Sequence, residues 1–342
     1  MTRQVKIGNV KIGGGTPISI QSMCNTPTKD TKATIAQIHE LEKRGCEIVR
    51  VAVPDLESAK ALKEIKQKIS IPLVADIHFD YKLALESAKY VDKLRINPGN
   101  IGDEDKVKQV VEAAKQYSLP IRIGINLGSL EKEFEQKYGR IAKAMVESAR
   151  KHIKILKKND FHNIVVSLKA SNIKTTVEAC RLFAKEFDYP QHLGITEAGT
   201  IESGSIKSAV GLGILLNEGI GDTIRVSLSG NPVNEVTTAK LILKHLGLRK
   251  GLTITSCPTC ARTTFDVEKY AKEIEQKLGN LRSDKHVAVM GCVVNGPGEA
   301  KDADIAIVGA GKDDPLLYIK GKFVKKIKKE NITKIVEEEL KK

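Results

Sequence analysis

The sequence predicts an α/β protein, a TIM-type (β/α)8 barrel over residues 1–247 followed by a smaller α+β domain over residues 248–342. Three observations predict it. Eight short apolar runs recur with helix-like stretches between most of them. The runs are nearly continuous rather than alternating, as strands covered on both faces require. Eight strand–helix units in about 230 residues match a barrel in number and length. An open, doubly wound sheet is the alternative that the same pattern allows.

In order, the runs are PISIQSM (17–23), EIVRVAV (47–53), PLVADIH (72–78), KLRINP (93–98), IRIGIN (121–126), NIVVSLK (163–169), HLGITE (192–197) and TIRVSLS (223–229). Stretches such as TKATIAQIHELEKRG and SAKALKEIKQK carry the helical period between them. The helix NEVTTAKLILKHLG closes the barrel and Gly247 leads out of it. The leading VKIGNVKIGGG reads as a hairpin able to plug the barrel floor. Beyond residue 248, LTITS, KHVAVMG and ADIAIVG read as strands, DVEKYAKEIEQKL as a helix and LYIKGKFVKKI as a hairpin before a terminal helix.

A hydrophobic content of 41% with 29% charged residues is ordinary for a soluble globular chain. No apolar stretch approaches the roughly 18 residues of a membrane span. The N-terminus has no signal-peptide core, so a cytoplasmic location is the expectation. The formal charge of +14 favours anions: nucleic acid, an acidic protein or a phosphorylated metabolite. Aromatic residues at 4%, with no Trp, leave few stacking platforms for bases, which puts metabolite phosphate ahead. Part of the charge is ordinary, because KFVKKIKKENITKIVEEELKK reads as a solvated helix face.

Six cysteines in a reducing compartment point to metal or catalysis rather than disulfides. Cys24, Cys46 and Cys180 are isolated and read as small buried hydrophobes, the last two in helix-like runs. Cys257-Pro-Thr-Cys260 and Cys292 offer three soft ligands, suited to iron–sulfur or zinc. After Cys292, the loop Val-Val-Asn-Gly-Pro-Gly-Glu299 reads as a tight turn that carries Glu299 back toward the metal as an exchangeable ligand. CxxC alone fits a zinc ribbon or a thiol-redox site. Joined to GCxxNGPGE, it describes a catalytic cluster better than a closed structural one.

Strand C-termini face the active site of such a barrel, whereas charge in its layered interior is costly. The runs place there Arg50, Asp76 with His78, Arg95 with Asn97, Arg122 with Asn126, Ser167 with Lys169, Thr196 with Glu197, and Arg225 with Ser227. Each Arg alone could be a structural ion pair. Four Arg and one Lys at comparable strand positions read as a phosphate or diphosphate pocket. Glu197 is a candidate proton donor or acceptor, or a carboxylate balancing the arginines, and His78 a proton carrier or a structural group.

QSMCNTPTKDT, RVAVP, ADIHFD, LRINPGNIG, IGINLGSL, SLKASN, LGITEAG, RVSLSG, SCPTCART and MGCVVNGPGEA together resemble the 4-hydroxy-3-methylbut-2-en-1-yl diphosphate synthase family over nearly the whole chain. The resemblance implies a barrel binding 2-C-methyl-D-erythritol 2,4-cyclodiphosphate on the methylerythritol phosphate route to isoprenoids. It also implies a ferredoxin-like domain whose [4Fe–4S] cluster is held by Cys257, Cys260, Cys292 and Glu299. The reaction implied is a two-electron reductive ring opening with loss of water, fed by ferredoxin or flavodoxin. Phosphate would be held by Arg50, Arg95, Arg122, Lys169, Arg225 and Ser227, and the substrate positioned by Asp76, Asn97, Asn126, Glu197 and Asn295. The spacing between Ser229 and Cys257 leaves no room for the extra domain of longer members, so this is the two-domain form, for which a head-to-tail homodimer is expected. Two other readings of the residues stand beside it: a basic RNA-binding protein with a structural zinc site, and another iron–sulfur reductase acting on a small oxyanion.

Overall fold

The computed structural model describes all residues except 98–100, 280, 282 and 312, and the side chain of residue 313. The Pro-Gly-Asn of LRINPGNIG, and with it the end of the KLRINP run, lies outside the described residues. Two compact units make up the chain, Met1–Leu246 and Gly247–Lys342.

In the first unit, acidic and amide side chains start helices where the sequence supplies them. Asp30, Asp55, Asp103 and Asn172 each accept a backbone N–H at the first turn of α1 (Thr31–Arg44), α2 (Leu56–Lys68), α4 (Glu104–Gln116) and α7 (Ile173–Glu186). The remaining helices are α3 (Tyr81–Ser87), α5 (Lys132–Tyr138), α6 (Ala142–Lys158), α8 (Ile201–Asn217) and α9 (Val233–His245). They surround eight parallel strands: β3 (Ser19–Met23), β4 (Ile48–Ala52), β5 (Leu73–Asp76), β6 (Lys93–Ile96), β7 (Ile121–Asn126), β8 (Ile164–Lys169), β9 (His192–Leu193) and β10 (Thr223–Ile224). Their spatial order is β8-β7-β6-β5-β4-β3-β10-β9. One parallel bridge, Val166 to Gln191, joins the two ends, and the Val166 N–H donates to Pro190 O at 2.9 Å. The sheet is a nearly closed barrel rather than the open alternative.

The N-terminal hairpin, β1 (Val5–Ile7) and β2 (Val10–Ile12), packs Val5, Ile7 and Ile12 against Ile48, Val74 and Val165 from three barrel strands. The hairpin seals the barrel floor with apolar side chains, and polar residues occupy the interior above it.

The sequence runs 192–197 and 223–229 were read as full strands, yet only two residues of each are in the ladder. Beyond Leu193 the backbone passes close to its neighbours: a Cβ on Gly194 would lie 2.6 Å from both Arg225 O and Lys169 Nζ. Glu197 then adopts a left-handed φ of +50°, turning the chain across the barrel mouth. Cys46 lies just past Gly45, the left-handed C-cap of α1, and so outside that helix.

The second unit alternates β11 (Thr253–Ser256), α10 (Val267–Leu278), β12 (His286–Met290), α11 (Gly296–Asp302) and β13 (Ile305–Ala310), then β14 (Asp313–Ile319), β15 (Lys322–Lys326) and α12 (Ile332–Lys341). The sheet order is β11-β12-β13-β14-β15, parallel through β13 and antiparallel beyond it. This mixed, sequentially ordered sheet differs from the split βαβ arrangement that "ferredoxin-like" denotes. Its core is apolar on both faces, with Ile274, Val289, Ile307 and Val336 on one side and Met290, Ala300 and Val308 on the other. Two sequence readings change here. NGPGE starts α11 instead of forming a simple turn, because Pro297 lies in a helix's first turn, where its missing N–H costs nothing. Of the two readings of the lysine run, the LYIKGKFVKKI hairpin holds and the helix face gives way: its first lysines form edge strand β15, paired antiparallel with β14. No helix among the described residues is long and apolar enough to cross a membrane.

Truncating the floor plug tests its role. Ile7→Ala should cost the first unit about 2–5 kcal/mol in urea unfolding, whereas Lys6→Ala on the exposed side of the hairpin should stay within about 0.5 kcal/mol. Equal effects would show that the hairpin does not close the core.

Candidate active site

Side chains alternate along a strand, so residues two apart share a face. That parity lines up Gln21 and Met23 on β3, Arg50 on β4 and Asp76 on β5. It continues with Lys93 and Arg95 on β6, Arg122, Gly124 and Asn126 on β7, Ser167 and Lys169 on β8, His192 on β9 and Arg225 just past β10. The register agrees: Asp76 is opposite Arg95, Arg95 opposite Arg122, and Asn126 opposite Lys169. An interior normally filled by branched apolar residues is here filled with charge.

Asp76 organises one side. Its Oδ1 accepts from Arg95 Nη1 at 3.0 Å and lies 3.5 Å from His78 Nε2, and its Oδ2 lies 3.8 Å from Arg50 Nε. His78 Nε2 is also 2.6 Å from Arg95 Nη1. Burial alone would raise the Asp76 carboxyl; the Arg50 charge, the His78 hydrogen bond and the Arg95 charge outweigh it and hold the group well below the usual carboxylate range. Glu235, in the first turn of α9, organises the other side. It accepts from Arg225 Nε at 3.2 Å and Nη2 at 3.1 Å, from Ser22 Oγ at 2.8 Å and from Leu228 N at 3.2 Å. Between these poles, Met23 Sδ accepts from Arg50 Nη2 at 2.9 Å and Nε at 3.1 Å, and from Arg225 Nη1 at 3.6 Å.

The remaining cations lack such partners. Arg122 and Lys169 are buried, and among the described residues neither forms an ion pair. Nε and Nη1 of Arg122 and Nε of Arg95 have no hydrogen-bond partner among the described residues. Lys93 Nζ donates only to Gln21 Oε1, at 3.2 Å. Burial, then the neighbouring arginines, push Lys93 and Lys169 well below the ordinary lysine range. His192 is driven down by burial and then by Lys169 and Arg122, and both its ring nitrogens are unpartnered among the described residues. Burial pulls Arg50 down to about 10, leaving it charged at neutral pH. Buried cationic donors without partners among the described residues are what an anionic ligand satisfies.

Of the residues expected from the sequence, the structure draws Arg50, Asp76, His78, Arg95, Arg122, Lys169 and Arg225 into this set, with Asn97 buried beside it. Asn126 is half-buried at the end of β7, Ser227 is half-buried three residues past β10, and Glu197 stands exposed in its strained turn. Lys93, Gln21, Met23, His192 and Glu235 were missed. Lys93 was detectable, since it precedes Arg95 by two and shares its face. Glu235 was not, because nothing local marks a helix-borne carboxylate as a partner of Arg225.

In the second unit, Cys257 follows β11 and Cys292 follows β12, adjacent parallel strands whose C-terminal ends lie together. The Gly291 N–H donates to Cys257 Sγ at 3.0 Å. The Arg262 N–H lowers the Cys260 thiol pKa, with the Arg262 charge adding to it. These three cysteines are free and at least partly exposed. Cys24, Cys46 and Cys180 are buried, their thiols pushed up to about 12 chiefly by desolvation. Glu299, on α11, is half-buried; its backbone N–H donates to Asn295 O at 3.0 Å, its carboxylate has no partner among the described residues, and Asn295 is the exposed N-cap of that helix. No group of three or more His, Cys, Asp or Glu among the described residues is gathered as a ready metal site. The donor chemistry nonetheless fits an iron–sulfur cluster: three accessible soft thiols, with a backbone amide directed at one sulfur and another stabilising a second thiolate.

Residues 2–240 match the GcpE TIM-barrel domain and residues 253–342 the GcpE protein C-terminal domain. The 4-hydroxy-3-methylbut-2-en-1-yl diphosphate synthase (flavodoxin) of Caldanaerobacter subterraneus subsp. tengcongensis is 56% identical, over 100% of this chain and 97% of its own length. The enzymes of the same name from Fusobacterium nucleatum and Clostridium perfringens are 55% and 54% identical, over 100% and 97% of this chain and 96% and 95% of their own lengths. Among solved structures, Yersinia pestis dihydropteroate synthase superposes with a TM-score of 0.53 at 12% identity, over 73% of this chain and 100% of its own. A truncated 3-deoxy-D-arabino-heptulosonate 7-phosphate synthase from Thermotoga maritima gives 0.51 at 15% identity, over 72% and 94%. Those two likenesses speak for the barrel alone. Matched from end to end by both family domains and by relatives at more than half identity, the chain belongs to the GcpE family of 4-hydroxy-3-methylbut-2-en-1-yl diphosphate synthases.

Proposed function

We propose that this chain is an iron–sulfur oxidoreductase that converts 2-C-methyl-D-erythritol 2,4-cyclodiphosphate into 4-hydroxy-3-methylbut-2-en-1-yl diphosphate and water, in the cytoplasm, with electrons from flavodoxin or ferredoxin. The observation that carries it is the set of buried, unpaired cations above a sealed barrel floor. Two electrons and one proton balance the reaction: a ring carbon–oxygen bond to phosphate breaks, leaving its oxygen ionised, and one hydroxyl takes up the proton and leaves as water. Opening the ring frees a terminal phosphate oxygen, so negative charge grows along the reaction. Arg122 and Lys169, with Arg50, Arg95, Arg225 and Ser227, meet that charge without reorganising, which favours the open-chain state over the ring. Asp76 stays ionised and keeps Arg50 and Arg95 aimed; Asn97, Asn126 and Asn295 are the neutral groups that position the substrate hydroxyls. Glu197 is the group proposed to exchange a proton with substrate, and its strained turn is the kind of backbone found at such positions.

Cys257, Cys260, Cys292 and Glu299 would hold a [4Fe–4S] cluster, with Glu299 as the exchangeable ligand. Bound there, it would supply reducing electrons and a Lewis-acidic iron. A homodimer belongs to the same reading. The exposed apolar face of α8, with Ile201, Ile206 and Val210, supports it.

The decisive experiment is anaerobic: purified protein is given the cyclodiphosphate and reduced flavodoxin, and the open-chain diphosphate is measured. Brown protein with about four irons that forms it supports the reading; colourless protein with zinc and no product overturns it. Arg122→Met should lower kcat/KM by about 10²-fold or more with iron content unchanged. Cys292→Ser should lose the iron and the broad visible absorbance, whereas Glu299→Ala should keep both and lose most turnover. Asp76→Asn should destabilise the barrel by about 3–5 kcal/mol at neutral pH. Because the folded carboxyl lies below its ordinary value of 3.8, that contribution is complete above about pH 4 and fades as the pH falls further. The gap between wild type and variant should therefore be constant near neutrality and narrow only in acid.

A further inference from the structure

Edge strands commonly carry lysine to discourage pairing with other chains. On β15 that explanation covers the lysines but not their neighbours. All five residues, Lys322-Phe323-Val324-Lys325-Lys326, are exposed, Phe323 by 55% and Val324 by 50%. A guarded edge has no reason to offer water a phenylalanine and a valine side by side. Apolar groups inside a cationic rim are the composition of a docking face.

The sheet register fixes where this face lies. Met290 pairs with Val308, Val308 with Leu316 and Leu316 with Lys326. The end of β15 is therefore level with the end of β12, two residues before Cys292, and three strand spacings or about 14 Å across the sheet. A second path ties the two more closely. Lys329 Nζ donates to Thr264 O at 3.2 Å; Thr264 N and Oγ1 donate to Gly291 O at 3.0 and 3.2 Å; Gly291 N donates to Cys257 Sγ. Near the thiols, Val293 and Val294 are exposed by 53% and 61%. Among the described residues, Lys322, Lys325 and Lys328 form no ion pair, and in sequence the acidic residues close by, Asp313, Asp314 and Glu330, are outnumbered by Lys320, Lys322, Lys325, Lys326, Lys328 and Lys329.

We infer that β15 and the following Lys328 form the docking face for an acidic electron carrier of the flavodoxin type, beside the cysteine loop. The inference rests on the functional reading above, in which such a carrier supplies the electrons, one at each of two encounters. Lysines steer an acidic partner and set its orientation, while Phe323 and Val324 give the encounter a desolvated centre.

Calorimetric titration of flavodoxin into the intact, cluster-loaded protein tests this, at about 50 mM and about 300 mM salt, where screening differs strongly. The K322Q/K325Q/K328Q variant should raise Kd about tenfold at low salt and flatten its salt dependence. Phe323→Ser should raise Kd with the salt dependence intact. Turnover driven by reduced methyl viologen, which needs no docking face, should stay within about twofold of wild type in both variants. An unchanged Kd and salt slope overturns the inference, as does an equal loss of viologen-driven and flavodoxin-driven turnover. Wild-type protein that binds flavodoxin as described yet forms no open-chain diphosphate upholds the docking face and overturns the functional reading instead.

Discussion

Six cationic side chains, Arg50, Lys93, Arg95, Arg122, Lys169 and Arg225, share the interior of one barrel with two carboxylates, Asp76 and Glu235, and their mutual repulsion is the constraint that the rest of the site answers. Two unit charges about 6 Å apart repel by about 3 kcal/mol at the effective dielectric of a protein interior. Several such pairs together rival the net stability of a whole domain. The carboxylates offset part of this: Asp76 serves Arg50 and Arg95, and Glu235 serves Arg225. Burial and the neighbouring arginines lower the proton affinity of Lys93 and Lys169, so their charge is the least favoured of the set while no anion is present. A diphosphate bound in this space supplies the negative charge that the two carboxylates do not, so its binding relieves the repulsion among the cations.

How the donors are kept available matters as much as their number. Arg50 and Arg225 both point at Met23, whose thioether is a weak acceptor. A carboxylate there would satisfy the guanidiniums and hold them against a ligand; a thioether orients them and releases them readily. Gly124 does the complementary work for Arg95, since a Cβ at that position would come within 2.6 Å of Arg95 Nη2. Gly194 leaves the corresponding room for Lys169.

Much of this was legible in the chain, for a physical reason. Charge in a run otherwise apolar is improbable unless used, so the arginines, Lys169 and Asp76 stood out, although Arg122, the second residue of β7, enters the barrel from the start of its strand and not from the C-terminal end expected for it. Local reading failed where the partner is remote in sequence. Glu235 binds Arg225 from a helix, Met23 looked like one more apolar residue, and His192 sat where a strand begins. It stayed divided where two structures share one composition: the lysine-rich run was legible both as a solvated helix face and as the second strand of a hairpin, and pairing with β14 decides for the hairpin. The motif NGPGE carried a helix start in its proline, masked by the two glycines that favour a turn.

The barrel itself says least about function. Dihydropteroate synthase from Yersinia pestis shares it at 12% identity, which is too little to preserve a site. What the scaffold contributes is a rule of position: eight strands deliver alternate side chains to one enclosed space, and whatever those positions hold becomes the chemistry. Here they hold hard nitrogen donors suited to phosphate oxygen, while every accessible thiol is in the second unit, where the strand ends deliver soft sulfur instead. Thiolates placed among the barrel cations would be drawn into ion pairs with them, weakening both as ligands for their own partners. Keeping the two donor classes on separate sheets lets each remain free for what it binds, and a reductive opening of a phosphate ring needs both.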